Sequence, residues 1–199
     1  MPSPGLNDAG YVLLNNTTLY TAAVDTAAVD ANSLDTPGVA WTILGHVGDE
    51  TGKGNIVLTK DGGTATTKGS MTKRAIRQVV DPVFHGVDVD ITQWTRDVLA
   101  LYHGTSGGTN PTAMQIEGVS DGSTTNRAML VVWADGTKRV GLYAPNVSWT
   151  GRDAIDTTSV ADAVAIPLHG AFLDSPTLVG PASKALRYTW ISPTLLVLS

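Results

Sequence analysis

Asp135-Gly136 lies between two runs rich in β-branched and aromatic residues, Met129 to Trp133 and Val140 to Tyr143, and it constrains the fold more than any other stretch. A two-residue Asp-Gly loop between strands takes a type I′ turn, because that backbone twist matches the twist of the strands and Gly tolerates a positive φ. The expected cross-strand pairs are Trp133 with Lys138, Val131 with Val140, and Met129 with Leu142.

Other strand signals surround this hairpin. Val83, His85, Val87, Val89 and Ile91 alternate with Phe84, Asp88 and Asp90, the period of a strand with one buried face. Ala40 to Leu44 and Asn55 to Thr59 are short apolar runs bounded by Gly. Val164, Ile166, Leu168 and Phe172 share a face of a later strand, where Pro167 points to a sheet edge or a bulge. Leu186, Tyr188 and Trp190 form a last set. One short helix interrupts the pattern, with Thr95 as N-cap, Asp97 in the first turn, Gly104 past the end, and Trp94 with Leu99 as a hydrophobic staple. The expected architecture is mainly β: a sandwich or barrel with one short flanking α-helix. Residues 1–37, which hold a tandem Thr-Ala-Ala-Val-Asp at 21–30, read as an N-terminal arm, and residues 38–199 as one β-rich domain.

Only 16% of residues are charged, while 42% are hydrophobic, so few groups remain to cover an exposed surface and much of that surface reads as interface. A net charge of −5 argues against a dedicated nucleic-acid-binding face. Charge is segregated. Residues 1–52 carry six acids and no Lys or Arg, whereas Lys53, Lys60, Lys68, Lys73, Arg74 and Arg77 face only Asp61 across residues 53–77. Two readings stand: solvated loops of opposite sign, or a basic block (Lys68, Lys73, Arg74, Arg77) that meets acidic surface on an adjacent copy.

Sites for chemistry are sparse. The absence of cysteine excludes thiol catalysis, disulfides and Cys-based metal sites. Gly104-Thr-Ser106-Gly-Gly108 spells G-x-S-x-G, but a nucleophile elbow needs a strand before the serine and a helix after it, and here a helix comes first. His46, His85, His103 and His169 are scattered, with no second His at metal-ligand spacing, and His85 reads as a structural histidine among valines. No cofactor, metal or catalytic residue is expected. The start, Met-Pro-Ser-Pro-Gly, lacks the pattern of a secretory signal, and no apolar run approaches the roughly 18 residues of a membrane span.

Four stretches then fall into a known order: Trp41-Thr-Ile-Leu-Gly-His-Val-Gly48, Asn55-Ile-Val-Leu-Thr-Lys-Asp-Gly-Gly63, Lys73-Arg-Ala-Ile-Arg77, and Ile91 through Leu101-Tyr-His-Gly104. Together they resemble the major tail proteins of long, non-contractile-tailed phages of actinobacteria. The resemblance covers the central third of the chain. It departs in the N-terminal arm and in having Thr95 where such proteins often carry Asp. It implies a virion subunit of the tail-tube type, made in the host cytoplasm. Six copies would close a ring, and rings would stack into a tube beside other tail proteins, including the tape measure protein. Double-stranded DNA would pass through the lumen without specific binding, and no membrane would be involved. Within such a tube the apolar segment Leu195, Leu196, Val197 and Leu198 would dock on a neighbour. Asp88 and Asp90 would face the channel if strand 83–91 lines it; on an outer sheet they would only solubilise the tube. A carbohydrate-binding β-module remains the alternative, resting on five tryptophans of unknown exposure.

Overall fold

A computed structural model of the chain describes residues 16–47, 56–68, 77–104, 124–157 and 164–193. The strands are β1 (Asn16–Ala22), β2 (Thr42–His46), β3 (Val57–Gly62), β4 (Ala65–Lys68), β5 (Arg77–Val80), β6 (Val83–Ile91), β7 (Thr125–Asp135), β8 (Lys138–Gly151), β9 (Ile166–Phe172) and β10 (Thr189–Ile191), and α1 is Arg96–His103. Eight strands join one antiparallel sheet in the order β2-β1-β7-β8-β9-β6-β3, with β10 also on β8; β4 and β5 form a separate ribbon. The fold is therefore mainly β with a single α-helix among the described residues, as the periodicity requires.

The sheet folds over on itself. Leu19, Leu44, Val131 and Leu142 from one half share a core with Val87, Ile91, Trp149 and Leu168 from the other, and Val47 bridges to Ile91 across the seam. The corner is in β8. Between the pairs Met129↔Ala144 and Arg127↔Val147, Pro145 and Asn146 stand opposite Ala128 alone, a bulge that bends the strand. The bulge's backbone groups are used: Asp25 N–H donates to the Pro145 carbonyl and Leu173 N–H to the Asn146 carbonyl, both at 2.9 Å. On one side of the corner β8 pairs with β10, on the other with β9. Helix α1 packs on β8, β9 and β2, and puts Val98 and Leu101 into the core. Its Thr95 side chain accepts from Val98 N–H and Gly104 ends it in the left-handed region, as expected. Trp94, expected in the staple, donates its Nε1–H to the Val164 carbonyl at 3.0 Å.

A second cluster covers the opposite face of β1, β7 and the first half of β8. Ala22, Ala128, Leu130, Val132 and Tyr143 meet Val29, Leu34 and Trp41, with Leu178 and Leu186 at the margin. β7 is thus buried on both faces, which accounts for its uninterrupted apolar run from Ala128 to Trp133. Residues 16–22, inside the stretch read as an arm, are β1 and pair with both β2 and β7. What is left of the arm reading ahead of β1, residues 1–15, lies outside the described residues.

Three local expectations change. The β7–β8 hairpin exists, but Asp135 pairs with Lys138 and Trp133 with Val140, so the loop is Gly136-Thr137. Gly136, at φ +57°, supplies the positive φ that a type II′ turn needs at its first central residue. The two-residue offset leaves every side chain on its expected face. Pro167 sits inside the sheet: its carbonyl accepts from Arg152 N–H just beyond the last β8–β9 pair, Gly151↔Leu168, so its missing N–H falls where that ladder has ended. Leu186 and Tyr188 serve different cores, because β10 begins only at Thr189.

The two copies of Thr-Ala-Ala-Val-Asp have different conformations and the same kind of ending. Asp30 caps a 3-10 turn at Ala31–Ser33. Asp25, at φ 62°, accepts from the Ser175 and Thr177 hydroxyls at 2.6 and 2.8 Å, pinning the segment that leaves β9 over the second cluster. Beside it, the buried Tyr143 hydroxyl donates to the Thr26 carbonyl at 2.6 Å, and burial, then the Asp25 charge, push its pKa from 10.0 up to about 12. A tyrosine whose folded pKa is raised stabilises fully below its unfolded pKa and loses that contribution as pH climbs through the folded one. Urea titrations from about pH 9 to about pH 11.5 should therefore show the stability advantage of the native chain over Tyr143→Phe shrinking as pH rises. A constant difference would contradict this account of Tyr143.

Candidate functional site

The half of the sheet made by β8, β9, β6 and β3 has one face in the core and one face that, among the described residues, neither cluster covers. Cross-strand register sets that bare face in rows. Val57, Asp88, His169 and Thr150 form one row, and Thr59, Gly86, Ala171 and Ser148 the next. Apart from Val57 these are small or polar residues, while their neighbours Val87, Val89, Leu168 and Trp149 fill the core.

Asp88 and Asp90 do project together, as their spacing predicts, and they are not alone. His169 Nδ1–H donates to Asp88 Oδ1 at 2.6 Å. Arg152, one residue past β8, donates from Nη2 to Asp90 at 2.8 Å and from Nε to Asp153 at 2.8 Å, with Nη1 at 3.9 Å from Asp88. The guanidinium is held above its ordinary pKa, first by the hydrogen bond to Asp153, with burial opposing and Asp90 and Asp88 adding. All these side chains are partly exposed, so each pair contributes at most about 1 kcal/mol. The arrangement leaves three carboxylates around one guanidinium. Arg152 and His169 were not foreseen, because they meet the acids only through register, 62 and 81 residues away.

The ribbon is the other exposed feature. Val57↔Asp88 through Gly62↔Val83, and Ala65↔Val80 through Lys68↔Arg77, continue one register, so β3–β6 and β4–β5 are a single long hairpin. It kinks where Gly62 and Gly63 take φ of 79° and 75°; a Cβ on Gly62 would lie 2.0 Å from the Pro82 carbonyl oxygen. Beyond the kink β4 is exposed along its whole length and Val80 is exposed as well. Lys68 lies on this exposed strand; Lys73, Arg74 and Leu195 to Leu198 fall outside the described residues, as does Ser106, and of Arg77 only the backbone is described. On the acidic side, Asp25 and Asp30 are engaged within the subunit, and Asp35 pairs with Arg139.

Trp41, Trp133 and Trp149 are buried; of the two exposed tryptophans, Trp190 is on β10 and stacks on Trp133, and Trp94 is in the connection between β6 and α1. Among the described residues no three His, Asp or Glu side chains are placed to hold a metal ion, and no helix is long and apolar enough to cross a membrane.

Among the described residues the sandwich thus has a largely polar face that neither core covers, outer strands paired on one side only, and a ribbon that joins neither core, edges at which another chain can add a strand. A family model for phage tail tube proteins matches residues 4–198. The chain is 30% identical over 167 residues to "Major tail protein Gp23" of Mycobacterium phage D29, covering 82% of this chain and 76% of that protein. It is 30% identical over 163 residues to "Major tail protein Gp23" of Mycobacterium phage L5, covering 80% and 74%. The chain belongs to the phage tail tube protein family, and the resemblance read from residues 41–104 extends over nearly its whole length. It is a structural component of the phage tail that assembles with itself and with other tail proteins.

Proposed function

We propose that six copies of this chain close a ring, that rings stack into a tube, and that the bare face of β8, β9, β6 and β3 lines the channel through which double-stranded DNA passes. The subunit catalyses no reaction in this role and meets the tape measure protein inside the tube. The observation that carries the reading is the pairing of that bare face with the edge of β3 beside it, unpaired among the described residues: a neighbour's strand continues the sheet there and the small polar rows become a continuous wall. The exposed ribbon, with Lys68, Lys73, Arg74 and Arg77 on or near it, reaches an adjacent copy, as does the segment Leu195 to Leu198.

Asp88, Asp90 and Asp153 outnumber Arg152 on the proposed wall, which leaves it net negative. A negative wall repels phosphate, whereas an excess of Arg or Lys would hold the backbone and release counterions at each step. Negative-stain microscopy of the purified chain tests the first claim, with rings or tubes expected. For the second, Asp88→Asn with Asp90→Asn leaves Arg152 facing the lumen with Asp153 as its remaining partner. Tubes should still form, and genome ejection from phage carrying the double variant should slow most at low salt. Ejection at the native rate, or the two positions on the outer wall of the assembled tube, would refute the channel assignment.

A further inference from the structure

The sandwich is bridged on one side, at Val47↔Ile91, and open on the other. On the open side, among the described residues, β3 pairs only with β6 and β10 only with β8, so each presents an unpaired edge. Between these edges is a cavity of about 170 Å³ lined by Leu58, His85, Leu142, Phe172, Tyr188 and Trp190. Leu142 and Phe172 belong to the main core and Tyr188 packs against it, so the slot is that core met from outside. Leu58 and Trp190 are each 43% exposed, a poor state for large apolar side chains. The volume falls below the roughly 300 Å³ at which ligand pockets begin. An apolar slot flanked by free strand edges instead fits an added strand that seats one or two aliphatic side chains.

Resting on the tail-tube reading, we propose that the slot receives residues Leu195–Leu198 of a neighbouring copy. These four residues form an unbroken apolar run three residues after β10, past Ser192, Pro193 and Thr194. The tightest route back to their own subunit's slot is closed to them by turn chemistry. To fold back beside β10 through a two-residue hairpin loop they need positive φ at its first central position. Pro193 is fixed near −65°, and no Gly, Asn or Asp stands between Ile191 and Ser199 to supply the turn. β10 also runs away from the slot: Ser192 Oγ–H donates to the Arg139 carbonyl at 2.8 Å, toward the β7–β8 turn. The segment thus leaves its subunit and completes another.

The chain has no cysteine, so engineered thiols report without background. Leu58→Cys and Val197→Cys chains, purified separately and checked for folding by circular dichroism, are mixed, allowed to assemble and mildly oxidised. Leu196→Cys replaces Val197→Cys in a parallel arm, because successive strand residues face opposite ways. A disulfide-linked heterodimer from one arm, together with a ladder of dimers and larger species from the chain carrying both cysteines, is the expected result. An intrachain disulfide in the doubly substituted chain would overturn the proposal in favour of the subunit's own segment. Tubes without a cross-link in either arm would overturn it while leaving the tail-tube reading intact; neither tubes nor cross-links would count against both.

Discussion

Replacing residues 63–82 by Asn-Gly should give a folded subunit that forms no tubes. Gly62↔Val83 is the last pair of the β3–β6 ladder, so an Asn-Gly type I′ turn joins the two strands in the register they already have. Among the described residues the excised ribbon, β4 and β5, pairs only with itself, and β4 is exposed throughout. A two-stranded ribbon is at best marginally stable alone, so its ordering is worth little to the isolated subunit. Stability should change by less than about 1 kcal/mol, a few degrees in Tm. Assembly should suffer far more, because Lys68, Lys73, Arg74 and Arg77 are removed with the segment. Each cation contributes at most about 1 kcal/mol to an exposed pair, but in the proposed tube the contact recurs at every subunit. Circular dichroism with thermal melting separates folding from assembly, and microscopy or sedimentation reads the tubes. Tubes of native length from the shortened chain would show that the ribbon is dispensable.

What could be read from the sequence was what neighbours in the chain decide. The α1 caps are local, since Thr95 and Gly104 act on residues within one turn of themselves, and both stand where expected. Alternation in β6 is equally local and places Val87, Val89 and Ile91 inward. The hairpin's existence was legible from Asp-Gly, while its register depended on whether Asp135 stays in the ladder, a choice between two turn types that the dipeptide alone does not settle. β1 was illegible because Asn-Thr-Thr-Leu-Tyr-Thr-Ala has little apolar character; it is a strand because β2 and β7 flank it. The same limit governs the site. Asp88 and Asp90 were visible as a pair, yet the charge of that face depends on Arg152 and His169, which only β9 and the end of β8 bring within reach.

Trp149→Ala should be the most damaging single substitution in the subunit. Trp149 heads the largest fully buried side chains, and its cross-strand partners are Thr125 on β7 and Gly170 on β9. Gly170 is there because Val147, Val87 and the ring leave no room: a Cβ at that position would lie 2.7 Å from Val147 Cγ1, 3.0 Å from Val87 Cγ1 and 3.1 Å from the indole. Truncating the indole leaves a cavity that the two flanking β-branched residues, stiff at χ1, cannot collapse into. The expected cost is about 3–5 kcal/mol. Against a total of about 5–15 kcal/mol for a domain, that is enough to leave much of the chain unfolded on warming. Trp149→Phe separates packing from polarity. Nε1 of Trp149 has no hydrogen-bond partner among the described residues, and an orphaned buried donor costs about 1–3 kcal/mol, so removing it offsets part of the lost volume. Urea denaturation should rank native, Phe and Ala in falling stability, with Phe closer to native than to Ala. Equal losses for the two variants would mean that the phenyl ring restores none of the packing the indole supplies, and a loss below about 1 kcal/mol for Ala would mean that the core closes over the gap.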